Sequence, residues 1–344
     1  MLRAVQAAPT SVSRPVPRRA VLLAALGVAL VVAGTAAAAG GGFEPATPRS
    51  PNAHRIADAY WLIFGFAAFI FVLVEVSLVV FVVRFRNRGR RRDVEGPQIR
   101  GNTNLELAWT AGPVLILAAI AAFVFYKLPG IKNVPPASAG SEQLRVRVEA
   151  HQFYWQFDYP GGGVSIDKLV VPVNEVVRLD VVSPDVAHSW WIPSLGGKID
   201  AIPGRTNHTW FEISRTGFYP GQCAEFCGIL HAFMRMTVHA VRRDEYQSFV
   251  ASHGAGSSAV GNEIVTGVCE KCHGPNGEGD IGPAINGNPL IKNTAGITQV
   301  ITQGRAPSRT LTGMPAVGAT WSQEELNAAI KALRTRFGGG TSGG

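Results

Sequence analysis

Two long apolar runs dominate the first third of the chain. Tyr60–Val83 holds 24 residues with a single charge, Glu75, and Leu107–Tyr126 holds 20 with none. A bilayer hydrocarbon core of about 30 Å is crossed by roughly 20 helical residues. Each run therefore predicts a membrane-spanning helix, and together they predict a hairpin over 55–128. A shorter run, Val21–Ala33, follows Arg14, Arg18 and Arg19 and precedes the small residues Ala36–Ala39. Basic residues, a short apolar stretch and a small-residue site in that order predict a secretory signal peptide over 1–39.

Beyond the hairpin, 129–142 is rich in Pro and Gly and reads as a linker. From 143 to 250 the pattern changes to short, alternating, β-branched segments: Leu144–Glu149, Phe153–Phe157, Leu169–Val173, Val176–Val182, Thr206–Ile213 and Met234–Val241. Strands of this length and spacing predict an all-β sandwich or barrel. Ser252–Ala259, rich in Gly and Ser, marks a second boundary. The segment 259–337 predicts a small all-α domain with an irregular middle and a closing helix, opened by the capping-box spacing Ser322-Gln-Glu-Glu325. So small a domain has little core of its own, and a buried cofactor would help to hold it together.

Composition sharpens this picture in one respect. The chain has 47% apolar and 16% charged residues and a net charge of +8. The positive charge is confined to the leader and to 84–104, where seven arginines stand against Asp93 and Glu95. Such confinement excludes a nucleic-acid-binding face, which needs basic residues clustered on a folded domain. It also sets topology. Arginine-rich loops stay in the cytoplasm, so both outer helix ends and everything after Lys127 are expected outside.

The four cysteines fall in two close pairs, a spacing that suits ligation or cofactor attachment better than a disulfide framework. Cys223-Ala-Glu-Phe-Cys227-Gly-Ile-Leu-His231-Ala-Phe-Met234 packs two thiols, an imidazole and a thioether into twelve residues, and His188 lies on an earlier loop, in Asp185-Val-Ala-His-Ser-Trp190. Soft sulfur donors mixed with imidazole favour copper in an electron-transfer site. A Cys223–Cys227 disulfide would leave Glu225, His231 and Met234 unexplained, and zinc seldom takes methionine. Met236 reads as core, and His54, His151, His208, His239 and His253 as structural or exposed.

The second pair, Cys269-Glu-Lys-Cys272-His273, has the C-x-x-C-H form of covalent haem c attachment, with His273 as axial ligand. A sixth ligand must come from elsewhere. Met314 is the only methionine of this segment, and methionine ligation raises the potential.

The C-x-E-x-C-x-x-x-H-x-x-M run, the Asp-Val-x-His-Ser-Trp loop, Asp200-Ala-Ile-Pro-Gly-Arg205 and the hairpin together resemble cytochrome c oxidase subunit II over about 55–245. The resemblance implies a cupredoxin-like fold and a binuclear copper (CuA) centre, bridged by Cys223 and Cys227 and capped by His188 and His231. Met234 and the Glu225 carbonyl would be weak outer ligands. It also implies a Mg²⁺ or Mn²⁺ touched by the Glu225 side chain where subunit I docks. Glu106 would stand at the mouth of a proton channel, and Phe153, Tyr154 and Trp155 would be where electrons reach CuA. Many relatives carry Trp where this chain has Phe153, so an external cytochrome is less expected to dock there. The fused domain resembles small class I cytochromes c, in which the residue matching Pro283 accepts a hydrogen bond from the axial His273. The whole would be a redox subunit of an oxygen reductase in the bacterial inner membrane, facing the periplasm. Its partners would be subunit I (haem a, haem a–CuB), subunit III and a cytochrome c donor. The alternative is the equivalent subunit of a nitric oxide reductase.

Overall fold

The computed structural model describes residues 44–86, 98, 100–136, 143–307 and 313–338. The signal peptide over 1–39 and the tail after Gly338 lie outside the described residues. Among those described are two compact units, one spanning Ala59–Val124 and the other Pro45–Asp58 with Phe125 onward.

The first unit is helical. Helix α1 (Pro51–Phe85) and helix α2 (Thr103–Lys132) are both long and apolar enough to cross a membrane. Phe69, Phe71, Leu73, Phe81, Leu115 and Leu117 are all exposed on them, an arrangement that water disfavours and lipid accommodates. Both helices outrun the apolar stretches that predict them. α2 continues through Pro129 and Gly130, which the composition assigns to a linker, because Asn133 donates to the Pro129 carbonyl and extends the last turn.

The second unit begins where the outer helix ends meet a β-sandwich. Asn52 donates to the Trp210 carbonyl (2.6 Å), Arg49 to that of Ser194 (2.7 Å), and the Trp210 indole to that of Ile131 (2.9 Å). The strands are β1 (Leu144–His151), β2 (Tyr154–Asp158), β3 (Val164–Ile166), β4 (Lys168–Pro172), β5 (Val176–Val182), β6 (His188–Trp191), β7 (Ile199–Ala201), β8 (Asn207–Glu212), β9 (Gly217–Cys223) and β10 (Arg235–Val241). One sheet runs β3-β2-β1-β5-β8 and the other β4-β10-β9-β6-β7. Most neighbours are antiparallel, but β1–β5 in one sheet and β4–β10 in the other pair in parallel. Alternation along β1 sends Val146, Val148 and Ala150 into the core and leaves Arg145 and Arg147 exposed.

β2 breaks that rule. Trp155 and Phe157 enter the sandwich core, yet Tyr154 and Gln156 on the opposite face are buried too. The α-helical domain covers them. After α3 (Arg243–Ser252) only 253–257 lie outside helix before α4 (Ser258–Ile264) begins, so the Gly/Ser boundary is shorter than its composition suggests. A π-helical turn (Val265–Cys269), α5 (Glu270–His273), α6 (Thr294–Gln303) and α7 (Gln323–Phe337) follow. Tyr154, Val164 and Ile166 share one apolar cluster with Val260, Ile264, Leu326, Ile330 and Leu333 of the helices. The cytochrome-like domain is thus packed on the sandwich, although the Gly/Ser-rich 252–259 marks a boundary between them.

α7 is built as its sequence dictates. The Ser322 hydroxyl accepts from the Glu325 amide (3.2 Å) and the Glu325 carboxylate from the Ser322 amide (2.6 Å), a reciprocal cap. Leu326, Ala329, Ile330, Leu333 and Phe337 then recur on one buried face. α4 crosses α7 at Gly261, where a Cβ would stand 2.4 Å from the Ala328 carbonyl oxygen. We expect Gly261→Val to destabilise this domain by about 1–3 kcal/mol, the usual cost of overpacking, read as a lowered midpoint for its transition in denaturant unfolding of the full chain. An unchanged midpoint would mean the crossing is looser than the backbone indicates.

Candidate metal centre and haem cavity

The first site forms where two β-strand ends and one loop converge. His188 opens β6 and Cys223 closes β9, and pairing of Trp190 with Cys223 holds the two strands together. The loop then turns at Gly228, whose φ of 134° favours glycine and where a Cβ would meet Gln152 and the Phe153 ring at 3.0 Å. The 3₁₀ turn His231–Phe233 follows, and Met234 donates its amide to the His231 carbonyl before β10 begins. Met234 therefore sits off the strand, and Met236 within it is core.

Six donors meet there. The sulfurs of Cys223 and Cys227 are 4.0 Å apart, with His188 Nδ1 3.9 Å from Cys223 Sγ and His231 Nδ1 3.6 Å from Cys227 Sγ. Met234 Sδ lies 3.8 Å from Cys227 Sγ, and the Glu225 carbonyl oxygen lies 3.2 Å from Cys223 Sγ. His188, Cys223, Cys227 and Met234 are buried and His231 is half-buried. Two sulfurs at that separation are far from the ~2.05 Å of a disulfide. Metal–thiolate contacts of about 2.3 Å can reach both at once. Charge points the same way. Burial pushes the Cys223 thiol up, but His188 and the backbone of Ser189 and Glu225 outweigh it and leave it at about 7. Burial and then the charge of Cys223 push Cys227 up to about 12. Both can be thiolates only with a cation between them, so the donor set fits a metal.

The supporting contacts fix these donors. His188 Nε2–H donates to Asp185 Oδ1 (2.9 Å), which leaves Nδ1 free to ligate. Asp185 also accepts from the amides of Gln152 (2.7 Å) and Val186 (2.6 Å). Burial opposes ionisation of His188, but Asp185 raises its pKa nonetheless. In the sequence, the place of Asp185 three residues before His188 is the one signal for this role. Gln152, also missed, donates its side-chain amide to the Cys227 carbonyl (2.6 Å). The Glu225 carboxylate turns away to Lys198 (3.4 Å), which also binds Asp200 (2.8 Å).

The second site is a cavity of about 360 Å³ in the helical domain. Cys269 at the end of the π-helical turn and Cys272 and His273 on α5 form one wall, and Met314, held by paired backbone hydrogen bonds with Arg305 (2.8 and 2.9 Å), lines it as well. His273 Nδ1–H donates to the Pro283 carbonyl (2.7 Å), leaving Nε2 as the nitrogen open to a metal. Burial holds both thiols above their ordinary range, Cys269 at about 12. An apolar cavity with two thiols, one imidazole and one thioether on its walls fits haem c.

The cavity is not walled by helices alone. Gln152, Phe153, Ile229 and Leu230 of the sandwich also line it, and so does Trp321. The Trp321 indole donates to the Tyr154 hydroxyl (2.9 Å), which donates to the Val317 carbonyl (2.7 Å). Trp155 lies edge-on to His188 with ring centroids 6.3 Å apart. Glu106, in the other unit, is exposed in the first turn of α2, where its carboxylate accepts from the Asn102 amide (3.3 Å).

Family models describe each part of this architecture. Residues 36–126 match the transmembrane domain of cytochrome c oxidase subunit II, 163–241 its periplasmic domain, and 257–331 subunit III of the cbb3-type oxidase. Cytochrome c oxidase subunit 2 of Alkalihalophilus pseudofirmus is 34% identical over 81% of this chain and 88% of its own length; that of Cereibacter sphaeroides is 31% identical over 68% and 91%. The solved periplasmic domain of subunit II from Bradyrhizobium japonicum is 37% identical over 35% of this chain and 96% of that one, with a TM-score of 0.32. The chain belongs to the cytochrome c oxidase subunit 2 family, in a form with a cytochrome c domain behind the β-sandwich.

Proposed function

We propose that this chain is the electron-accepting subunit of a respiratory oxygen reductase, taking electrons from a c-type cytochrome at haem c and passing them through binuclear copper to haem a of subunit I. Copper and haem, when bound, supply reversible one-electron chemistry. The observation that carries this reading is the shared wall. Leu230 lines the haem cavity next to His231 of the donor cluster, and Gln152 lines it while holding the Cys227 carbonyl.

The chain's own residues have distinct parts in this reading. Cys223, Cys227, His188 and His231 would hold the coppers, with Met234 and the Glu225 carbonyl as weaker donors. The hydrogen bond that Asp185 accepts from His188 and the one that Gln152 donates to the Cys227 carbonyl would keep the geometry fixed and reorganisation on electron transfer small. Cys269 and Cys272 would attach haem, and His273 and Met314 would hold its iron. Phe153 lines the cavity and Trp155 lies beside His188, and with Tyr154 they would be where electrons cross. Phe153 in place of tryptophan suits a chain whose donor is already packed against it.

Further parts concern the complex. The Glu225 carboxylate, beside Lys198, is proposed to share Mg²⁺ or Mn²⁺ with subunit I. The seven arginines of 84–104 support a cytoplasmic side for that segment in a bacterium and the periplasmic face of the inner membrane for the soluble domains. Glu106 would then stand on the side from which pumped protons are drawn. Subunit III completes the assembly.

Turnover tests the reading. With reduced cytochrome c as donor, the purified complex should consume oxygen rapidly while copper and haem c bands cycle. Nitric oxide reduction with negligible oxygen use would instead assign it to the nitric oxide reductases. Asp185→Asn should weaken copper retention by about 10- to 100-fold, measured as copper per chain after graded chelation, with haem content unchanged. Undiminished retention would remove Asp185 from the support of the centre.

A further inference from the structure

Lys271 lies inside the haem-attachment motif, between the two cysteines, yet its ammonium leaves the haem domain. It donates to the Asp167 carboxylate and to the Phe153 carbonyl (3.0 Å), both in the β-sandwich. Lys271 and Asp167 are each about four-fifths buried, with side-chain exposures of 18% and 19%. A surface ion pair at a casual contact would be neither so enclosed nor so connected.

Asp167 is held as firmly as a ligand. It occupies the turn between β3 and β4 in the left-handed region (φ 56°), which aspartate tolerates better than most residues. Its Oδ1 accepts from the Trp155 amide (2.8 Å) and its own amide donates to the Trp155 carbonyl (2.8 Å). Burial pushes its carboxyl up to about 6, and Lys271 is the main influence opposing that rise. The haem domain is cut to fit this turn. A Cβ at Gly267 would stand 2.7 Å from Ile166 Cγ2 and 3.2 Å from Asp167 Oδ2.

A reciprocal contact lies alongside. Glu263 of the haem domain accepts from the Ile166 amide (3.0 Å) and pairs with Lys168 (3.0 Å). Each domain therefore lends the other one half-buried acid and one lysine. Gln156 donates to Glu325 (3.0 Å) across the same interface.

We propose that Lys271 and Asp167 form a positioning pair that locks the haem-attachment turn onto the Phe153–Trp155 segment, so that the two redox sites form a fixed complex and not a tethered, searching one. This rests on the electron order given above. The pair is placed to act because Phe153, whose carbonyl Lys271 holds, adjoins Gln152 and, through it, the Cys227 carbonyl.

Lys271→Met and Asp167→Asn in the full complex test this. Asp167→Asn keeps an acceptor for the Trp155 amide and lies outside the haem-attachment motif, so it remains informative if Lys271→Met fails to take up haem. In wild type, the rate of haem c to CuA transfer after rapid haem reduction should be nearly independent of salt. Either variant should slow it at least tenfold and make it fall with ionic strength, and Lys271→Arg should restore most of it. Hydrogen exchange at Trp155 and Ile166 should quicken at least tenfold in both variants, a readout independent of turnover. Unchanged exchange and unchanged transfer in Asp167→Asn would overturn the proposal. Absence of copper reduction after haem reduction in wild type would instead overturn the electron order, while the exchange data would still decide whether the pair locks the domains.

Discussion

Two cysteine sulfurs 4.0 Å apart in a buried pocket are a liability unless something positive joins them. Once Cys223 ionises, its charge and the burial of the site push Cys227 far from ionising. A pair of this kind is stable as two thiolates only around a metal, and much of the surrounding structure serves to keep it ready for one. β6 and β9 bring His188 and Cys223 together, Gly228 lets the loop turn tightly beside Phe153, and Asp185 fixes the His188 tautomer. The same loop continues into Leu230, which belongs to the haem cavity wall. The loop that holds the two sulfurs therefore also forms part of the cavity wall.

The second consequence concerns the domain boundary. An open β-sandwich normally leaves the outer faces of its sheets to solvent. Here β2 is buried on both sides, by its own core through Trp155 and Phe157 and by the helical domain through Tyr154 and Gln156. The helical domain is small, and it completes its core with Tyr154, Val164 and Ile166 from the sandwich. The two domains depend on each other for burial, which explains why a five-residue connection suffices between α3 and α4.

Much of this was legible in the residues. The hairpin follows from apolar length, the long strands from alternation, and α7 from its capping box and apolar periodicity. Both sites follow from the spacing of cysteine, histidine and methionine. What escaped has physical causes. β3, β6, β7 and β9 are short or carry polar motif residues, so no alternation marks them. α6, Thr-Ala-Gly-Ile-Thr-Gln-Val-Ile-Thr-Gln, is rich in β-branched residues and is helical because Ile297 and Ile301 pack inward. The domain packing had a signal that reads clearly only in hindsight. Phe153-Tyr-Trp-Gln-Phe157 is nearly continuous in aromatic residues, the mark of a strand covered on both faces. Lys271 and Asp167 lie 104 residues apart, and no local pattern joins them.

The central claim is that copper cluster and haem cavity belong to one fixed unit. A distance measurement between the oxidised copper centre and oxidised haem c, by electron-spin relaxation or pulsed dipolar spectroscopy on the purified complex, tests it most directly. The account expects one narrow distribution, the same at low and high ionic strength. A broad or two-component distribution that shifts with salt would contradict it and restore the picture of a cytochrome that searches for its acceptor.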